Sequence, residues 1–305
     1  VLQRATVEAH PKPWGSSDLR PWSTLDAAAD PIGELWFQRP PLAAPALQAG
    51  DPSLLVKLLF TNQPLSIQVH PDDAYARSIG LPHGKSEAWY ILSAGPGAAI
   101  ALGLSEPLAP GALLSAVHDG SIVDRVRWRR VAAGDAWYVA PGTIHSLGAG
   151  VVLLEVQQRS DATFRLYDFG RHREMHADNA LAAANANQEA HQAPRSRLDG
   201  ERTVLVASPH FVLELVELQP DTTWELNTMT ETWLFALGGN AAIGPLEAGI
   251  GDAFCIDADR SVIDVRSEPW QCLLAYVGSE PASDLLRPIP RPTLLSRQLH
   301  AQAPA

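Results

Sequence analysis

Positive charge is sparse in this chain. Its 23 lysines and arginines stand against 34 acids, for a formal net charge of -11, and the cations nowhere run together in a block. Nucleic acid is therefore not an expected partner, because phosphate backbones select clustered cations. Cysteine is scarcer still. Cys255 and Cys272 each fall in an apolar, strand-like run without CxxC spacing, which excludes a disulfide scaffold and leaves two buried thiols. No uncharged apolar stretch is long enough to span a bilayer, and the opening VLQRATVEAHPKPWG has no basic segment leading into an apolar run. A soluble cytoplasmic protein with no membrane partner is expected. Glycine loops of the GxxxxGK[ST] or GxGxxG kind are also absent, so a phosphate would have to be gripped by scattered side chains.

Helix-forming stretches are few. Candidates are residues 25–30, the run PGALLSAVHDG around residue 115, and the Ala-rich segment 177–192. What fills the chain instead is a series of short runs rich in β-branched and aromatic residues between turn residues, such as SLLVKLLF, EAWYIL, AWYVA and VVLLEVQ. That spacing predicts an all-β protein of antiparallel sandwiches or barrels with a few short helices. A polar, Pro/Gly-containing connection places a boundary near residue 195, giving domains of 1–195 and 196–305. The Pro-rich tail 287–305 is expected to lie extended on the surface.

The second part echoes the first. SEAWYILSAGPGAAIA at 86 resembles TETWLFALGGNAAIG at 230, and AAGDAWYVAPGTIHSLG at 132 resembles EAGIGDAFCIDADRSVID at 247. The alignment pairs Glu87 with Glu231, Trp89 with Trp233 and His145 with Val262, as two copies of one β unit. The copies differ chemically. In the first, LSIQVHPDD sets Gln68 and His70 two residues apart, on one strand face. Glu87 in GKSEAWY and His145 in APGTIHSLG complete a set of imidazole, carboxylate and amide donors. Without thiolates, such donors suit zinc or another first-row divalent ion with an open coordination position. Each residue alone reads equally well as an ordinary strand-end or surface group. Loss of the set from the aligned copy argues that it is not scaffold.

Asp72 and Asp73 fit either acceptors behind His70 or a simple turn. Trp89 and Trp137 read as core. His10, His118, His172, His176, His191, His210 and His300 have no partner spacing and are expected at the surface.

The pattern of GDAWYVAPGTIH resembles the second motif of cupins, double-stranded β-helix barrels that carry a metal inside. Taken in order, QVHPDD, GKSEAWYIL, GDAWYVAPGTIHSLGAG and LLEVQQRSDATFRLYDFGR are similar to type I phosphomannose isomerases, also called mannose-6-phosphate isomerases. PKPWG at 11 and IGELWF at 32 resemble that family's opening, so the likeness runs from about residue 11 to 171.

The resemblance implies two cupin barrels, the second degenerate, and a metal-dependent enzyme interconverting mannose 6-phosphate and fructose 6-phosphate. It puts the metal, normally zinc, on Gln68, His70, Glu87 and His145. Its active-site arginine falls on Arg165, an aspartate on Asp161 and a lysine on Lys85, which beside a bound cation could have its pKa lowered enough to move a proton. Where some members carry His immediately before that lysine, this chain has Gly84, with His83 one place earlier. Ser66, Lys85 and Arg171 are the candidates for substrate phosphate. A small sugar phosphate is the expected partner, and the protein a monomer or homodimer. The alternatives are a non-catalytic sugar-phosphate-binding cupin and an iron-dependent cupin oxygenase, which favours two His and one carboxylate with open positions for oxygen.

Overall fold

The computed structural model describes residues 1–27, 29–41, 51–186, 192 and 194–290. Antiparallel strands dominate it, in one seven-stranded sheet, one six-stranded sheet and two five-stranded ones, as the all-β expectation required. The five-stranded sheet containing Ile67–Val69 and His145–Leu147 faces the six-stranded sheet containing Leu54–Thr61, Glu87–Ala94 and Val151–Gln158. Beyond it, the seven-stranded sheet containing Phe211–Leu218 and Trp270–Val277 faces the five-stranded sheet around Thr223–Asn227. Each facing pair forms one barrel.

Strand periodicity decides what each layer contains. In Leu54–Thr61, Leu54, Val56, Leu58 and Phe60 point away from their own barrel and pack with Phe211, Leu213 and Leu273 of the seven-stranded sheet. The alternate residues Lys57 and Leu59 point inward. Likewise Ala88, Tyr90 and Leu92 join the layer between the barrels, while Trp89 and Ile91 join the first barrel's interior. A fully buried leucine contributes roughly 2–3 kcal/mol, so this apolar layer holds the barrels together far more than surface ion pairs do. Helices Pro110–Asp119 and Ala177–Ala183 cover the outer face of the first five-stranded sheet.

Three sequence expectations are corrected. Residues 25–27 and 29–30 form no helix; the run is too short to repay nucleation and ends against Pro31, which disfavours helical geometry before it. The Ala-rich helix closes at Ala183, and Asn185 N turns to donate to Gly142 O (2.9 Å); residues 187–191 and 193 lie outside the described residues. Of the tail, Leu286–Pro288 is a strand paired with Thr223–Asn227, and 291–305 lie outside the described residues. At the other end of the chain, Leu2–Arg4 pairs with Ala253–Ile256 and so adds an edge strand to the seven-stranded sheet.

The repeat alignment also slips by one residue in its first half. Trp89 pairs with Trp137 inside the first barrel, whereas in the second barrel the corresponding pair is Leu234 with Phe254. Trp233 instead points into the layer between the barrels. A one-residue slip sends every side chain to the other face, so Thr232, not Glu231, takes the register of Glu87. Glu231 accepts from the backbone N–H groups of Ser53 (2.5 Å) and Leu54 (3.2 Å) and from Trp233 Nε1 (2.8 Å), tying the barrels together. By the same pairing, Ile263 opposite Trp224 answers to His145 opposite Gln68. Apolar core occupies the second barrel where the first holds its polar set.

Candidate metal centre and its cavity

Three adjacent strands bring the first polar groups together. Gln68 on Ile67–Val69 pairs on one side with His145 and on the other with Arg165. Across the barrel, inward parity delivers Glu87 from Glu87–Ala94. His70 Nε2 lies 3.0 Å from Glu87 Oε1, and His145 Nε2 lies 3.8 Å from Glu87 Oε2. One ligating atom from each of the three residues lies within 4.8 Å of the others, and all three side chains are buried.

The imidazoles are oriented from behind. His70 Nδ1 faces Ala162 O and His145 Nδ1 faces Thr143 O, each at 2.8 Å. A carbonyl can only accept, so each Nδ1 carries the proton and each Nε2 presents a lone pair to the centre. Burial, then the Lys85 cation, pulls His70 down to about 3; burial also lowers His145. Both rings are therefore neutral at pH 7. Burial opposes ionisation of Glu87, but the Lys85 cation outweighs it and holds the carboxyl well below its ordinary range. Two neutral imidazoles and a carboxylate are the protonation states a cation needs. Among the described residues, His70 Nε2 and Glu87 Oε2 are buried with no hydrogen-bond partner, an arrangement that costs stability unless something else satisfies them. A divalent metal fits this donor set.

Gln68 lies beside the triad, its Nε2 3.3 Å from His145 Nε2 while its Oε1 accepts from Ser66 Oγ (3.0 Å). Ligation by Gln68 would require the amide to turn its oxygen inward, an exchange of near-isosteric ends. The acceptor behind His70 is Ala162, not the following acids. Asp72 instead caps helix Asp73–Ser78, accepting from Tyr75 N (2.7 Å).

Gln68 and His145 open onto a cavity of about 320 Å³, with His70 and Glu87 behind its lining. Ser66, Lys85, Asp161 and Arg165 all line it. Arg171 does not: its guanidinium donates to Pro64 O (2.8 Å) and to Asp168 (3.2 Å), fixing a loop outside the cavity lining, so it is withdrawn as a phosphate candidate. Arg173 lines the cavity in its place, held by Asp168. His83 also lies off this wall, with Nδ1 3.3 Å from Gly84 O. Trp89 is both core and wall, its ring edge-on to His145 at 5.5 Å.

Sequence reasoning missed a line of charges across the six-stranded sheet. Lys12 pairs with Glu34 (3.5 Å), Glu34 with Lys57 (3.7 Å), and Lys57 with Glu155 (3.6 Å), in successive strands leading towards Glu87. His10, expected at the surface, joins this wall and packs on Trp36. One signal was legible. The chain has only three lysines, Lys12, Lys57 and Lys85, and all three line this cavity. Elsewhere the protein uses arginine, so ammonium groups are kept where a compact, adjustable cation is useful.

Charge pairing also sets two proton affinities. Burial lowers Lys85, but Glu87 at 2.9 Å together with Glu155 and Glu34 carries it above its ordinary value. Burial, reinforced by Glu87 and Glu34 against Lys57 and Lys85, pushes Glu155 up to about 7.

No family model matches the chain. Against curated proteins, it is 38% identical over 191 residues to the mannose-6-phosphate isomerase of Streptococcus mutans, covering 60% of each protein. It is 36% identical over 157 residues to mannose-6-phosphate isomerase ManA of Bacillus subtilis, covering 49% of each. Over these stretches the chain is similar to proteins named mannose-6-phosphate isomerase. These matches span between half and three fifths of the relatives' length. In fold the likeness extends further. The crystal structure of the Bacillus subtilis mannose 6-phosphate isomerase superposes with a TM-score of 0.78 over 90% of this chain and 98% of that one, at 23% identity, which places this chain in the two-cupin fold. Among the described residues, no helix is long and apolar enough to cross a membrane.

Proposed function

We propose that the protein is a cytoplasmic, metal-dependent aldose–ketose isomerase that interconverts mannose 6-phosphate and fructose 6-phosphate. The observation that carries this reading is Arg165. It lines the cavity beside the His-Glu-His cluster, its Nε is buried without a partner, and it has no ion-pair partner among the described residues. A cation that no carboxylate pairs directly, in a partly buried wall, is one prepared for an anion that arrives later.

The reaction moves a proton between C2 and C1 through a cis-enediolate, so negative charge develops on two neighbouring oxygens. When bound by His70, Glu87 and His145, with Gln68 as the fourth ligand, a divalent ion, zinc in our reading, supplies Lewis-acid polarisation of the sugar oxygens. Arg165 presents its planar fork to the enediolate oxygens, matching two acceptors at once. Lys85, raised and paired with Glu87, acts as a fixed positive charge. Glu155, poised near neutrality in the same wall, suits the proton carrier, because a general base works best with a pKa near the working pH; Asp161 and Glu34 also line the cavity. Ser66 and Lys85 remain candidates for the phosphate.

Glu155 also carries a prediction about stability. Between its ordinary pKa and about 7 the unfolded chain is ionised at this position and the folded chain is protonated. The folded state then binds more protons, so Glu155 makes stability fall as pH rises across that window. Urea unfolding of the metal-free protein from pH 5 to 7.5 is expected to show this decline, and Glu155→Gln to flatten it. An unchanged slope in the variant would place the titration elsewhere.

Incubating the protein with mannose 6-phosphate in deuterated water, with and without a chelator, tests the function. The expected outcome is chelator-sensitive formation of fructose 6-phosphate carrying deuterium at the exchanged carbon. Binding without turnover would replace the reading with a sugar-phosphate sensor. Oxygen uptake with iron would replace it with an oxygenase.

A further inference from the structure

Residues 83–86 carry Lys85 into the cavity, and their backbone is held by two other segments. Lys85 N donates to Pro71 O (3.0 Å). Ser86 N and Oγ both donate to Gln158 Oε1, at 2.9 and 3.0 Å, and Gln158 N returns a bond to Ser86 O at 3.1 Å. Gly84 N donates to Asp73 Oδ1 at 2.8 Å, and the same oxygen accepts from Gln158 Nε2 at 3.3 Å. Asp73 thus joins the loop, the end of strand Val151–Gln158 and the first turn of helix Asp73–Ser78. Gly84 is pressed into this junction: a Cβ there would lie 2.5 Å from Pro71 O and from the Asp72 carbonyl carbon.

We propose that Asp73 is a positioning residue for the site, holding Lys85 against Glu87 through the Gly84 amide. The inference rests on the isomerase reading for its catalytic consequence. Neighbouring Asp72 provides the contrast, since its carboxylate is occupied with the helix cap. Asp73 is not needed for that cap; its carboxylate, on a side chain 35% exposed, instead accepts from the buried Gly84 N–H and from Gln158 Nε2. Its carboxylate oxygen fixes the His83–Gly84 peptide, one residue before the Lys85 amide that Pro71 O holds. A lysine stem has large rotamer freedom, and anchoring its backbone is what makes a 2.9 Å ion pair with Glu87 reproducible. Asparagine at this position retains an Oδ1 acceptor; alanine does not.

The three-lysine composition gives a clean measurement. An amine-reactive reagent followed by peptide mass spectrometry reads Lys12, Lys57 and Lys85 separately, alongside the amino terminus. In Asp73→Ala, turnover of mannose 6-phosphate is expected to fall roughly tenfold, the value of one hydrogen bond to a charged group. KM and bound metal should be unchanged. Lys85 should react several times faster than in the native protein, and Lys12 at the native rate. Asp73→Asn should restore both turnover and Lys85 protection. The proposal is overturned if Asp73→Ala matches the native protein in both readouts, if Asp73→Asn is as impaired as alanine, or if all three lysines become reactive together, which would mark general loosening. Should the native protein fail to isomerise the sugar phosphate, the functional reading fails, and the Lys85 labelling comparison still decides the clamp.

Discussion

Replacing His145 by alanine is expected to reduce bound divalent metal to background and isomerase turnover by a factor of about 10³ or more, the scale of a lost Lewis acid. The choice of residue follows from charge. Glu87 compensates the buried Lys85 ammonium at 2.9 Å, so Glu87→Gln would leave a buried cation unpaired, at a cost of roughly 3–5 kcal/mol. That loss would be indistinguishable from unfolding. His145 is neutral, and its removal deletes one lone pair without disturbing the balance of charge. Its Nδ1 bond ends on Thr143 O two residues away, so the local strand loses little else. Metal content by elemental analysis, with a thermal melt to establish folding, checks the prediction. Retention of stoichiometric metal by a folded His145→Ala protein would remove the His-Glu-His centre. Gln68→Ala should have a smaller effect, weakening metal affinity by about 10- to 100-fold, as for groups that tune a site already closed by three ligands.

Much of this centre was legible because strand parity is simple. Gln68 and His70 share a face by a spacing of two, and Glu87 and Trp89 do so by the same rule. Parity within a strand can be read from sequence, but its absolute sense cannot, and this is where the repeat alignment went astray. Glu87 and Glu231 have similar neighbours, yet one points into a barrel and the other into the layer between barrels, because the register differs by a single residue. The line of charges from Lys12 to Glu155 was hidden for a related reason. Its members come from strands far apart in sequence, and only sheet order makes them neighbours. Lys57 inside LLVKLLF and Glu155 inside VVLLEVQ nevertheless left a trace, as single charges within apolar runs. Such charges are expensive to bury without a partner, which is a reason to search for one. The different settings of Arg165 and Arg171 could not be read from spacing. Both follow the same motif, and only the fold shows Arg165 lining the cavity while Arg171 donates to Pro64 O and Asp168 outside it.

That difference between two arginines leads to a sharp expectation. Arg165→Ala should leave metal content and melting temperature close to native, since the guanidinium forms no ion pair among the described residues, while kcat falls by about 10²- to 10³-fold, the usual loss on removing a donor aimed at developing negative charge. The loss should appear mainly in kcat. A group that meets the enediolate more strongly than the ground-state sugar contributes to the transition state, and KM reports the ground state. Arg165→Lys is expected to recover only a small part of the rate, because a single ammonium cannot span two neighbouring oxygens as the planar fork does. Equal rise in KM with kcat intact would instead assign Arg165 to holding the substrate, with phosphate the obvious anion. Full activity in the alanine variant would mean that the charge on this wall serves something other than the chemistry, and would take away the observation on which the functional reading stands.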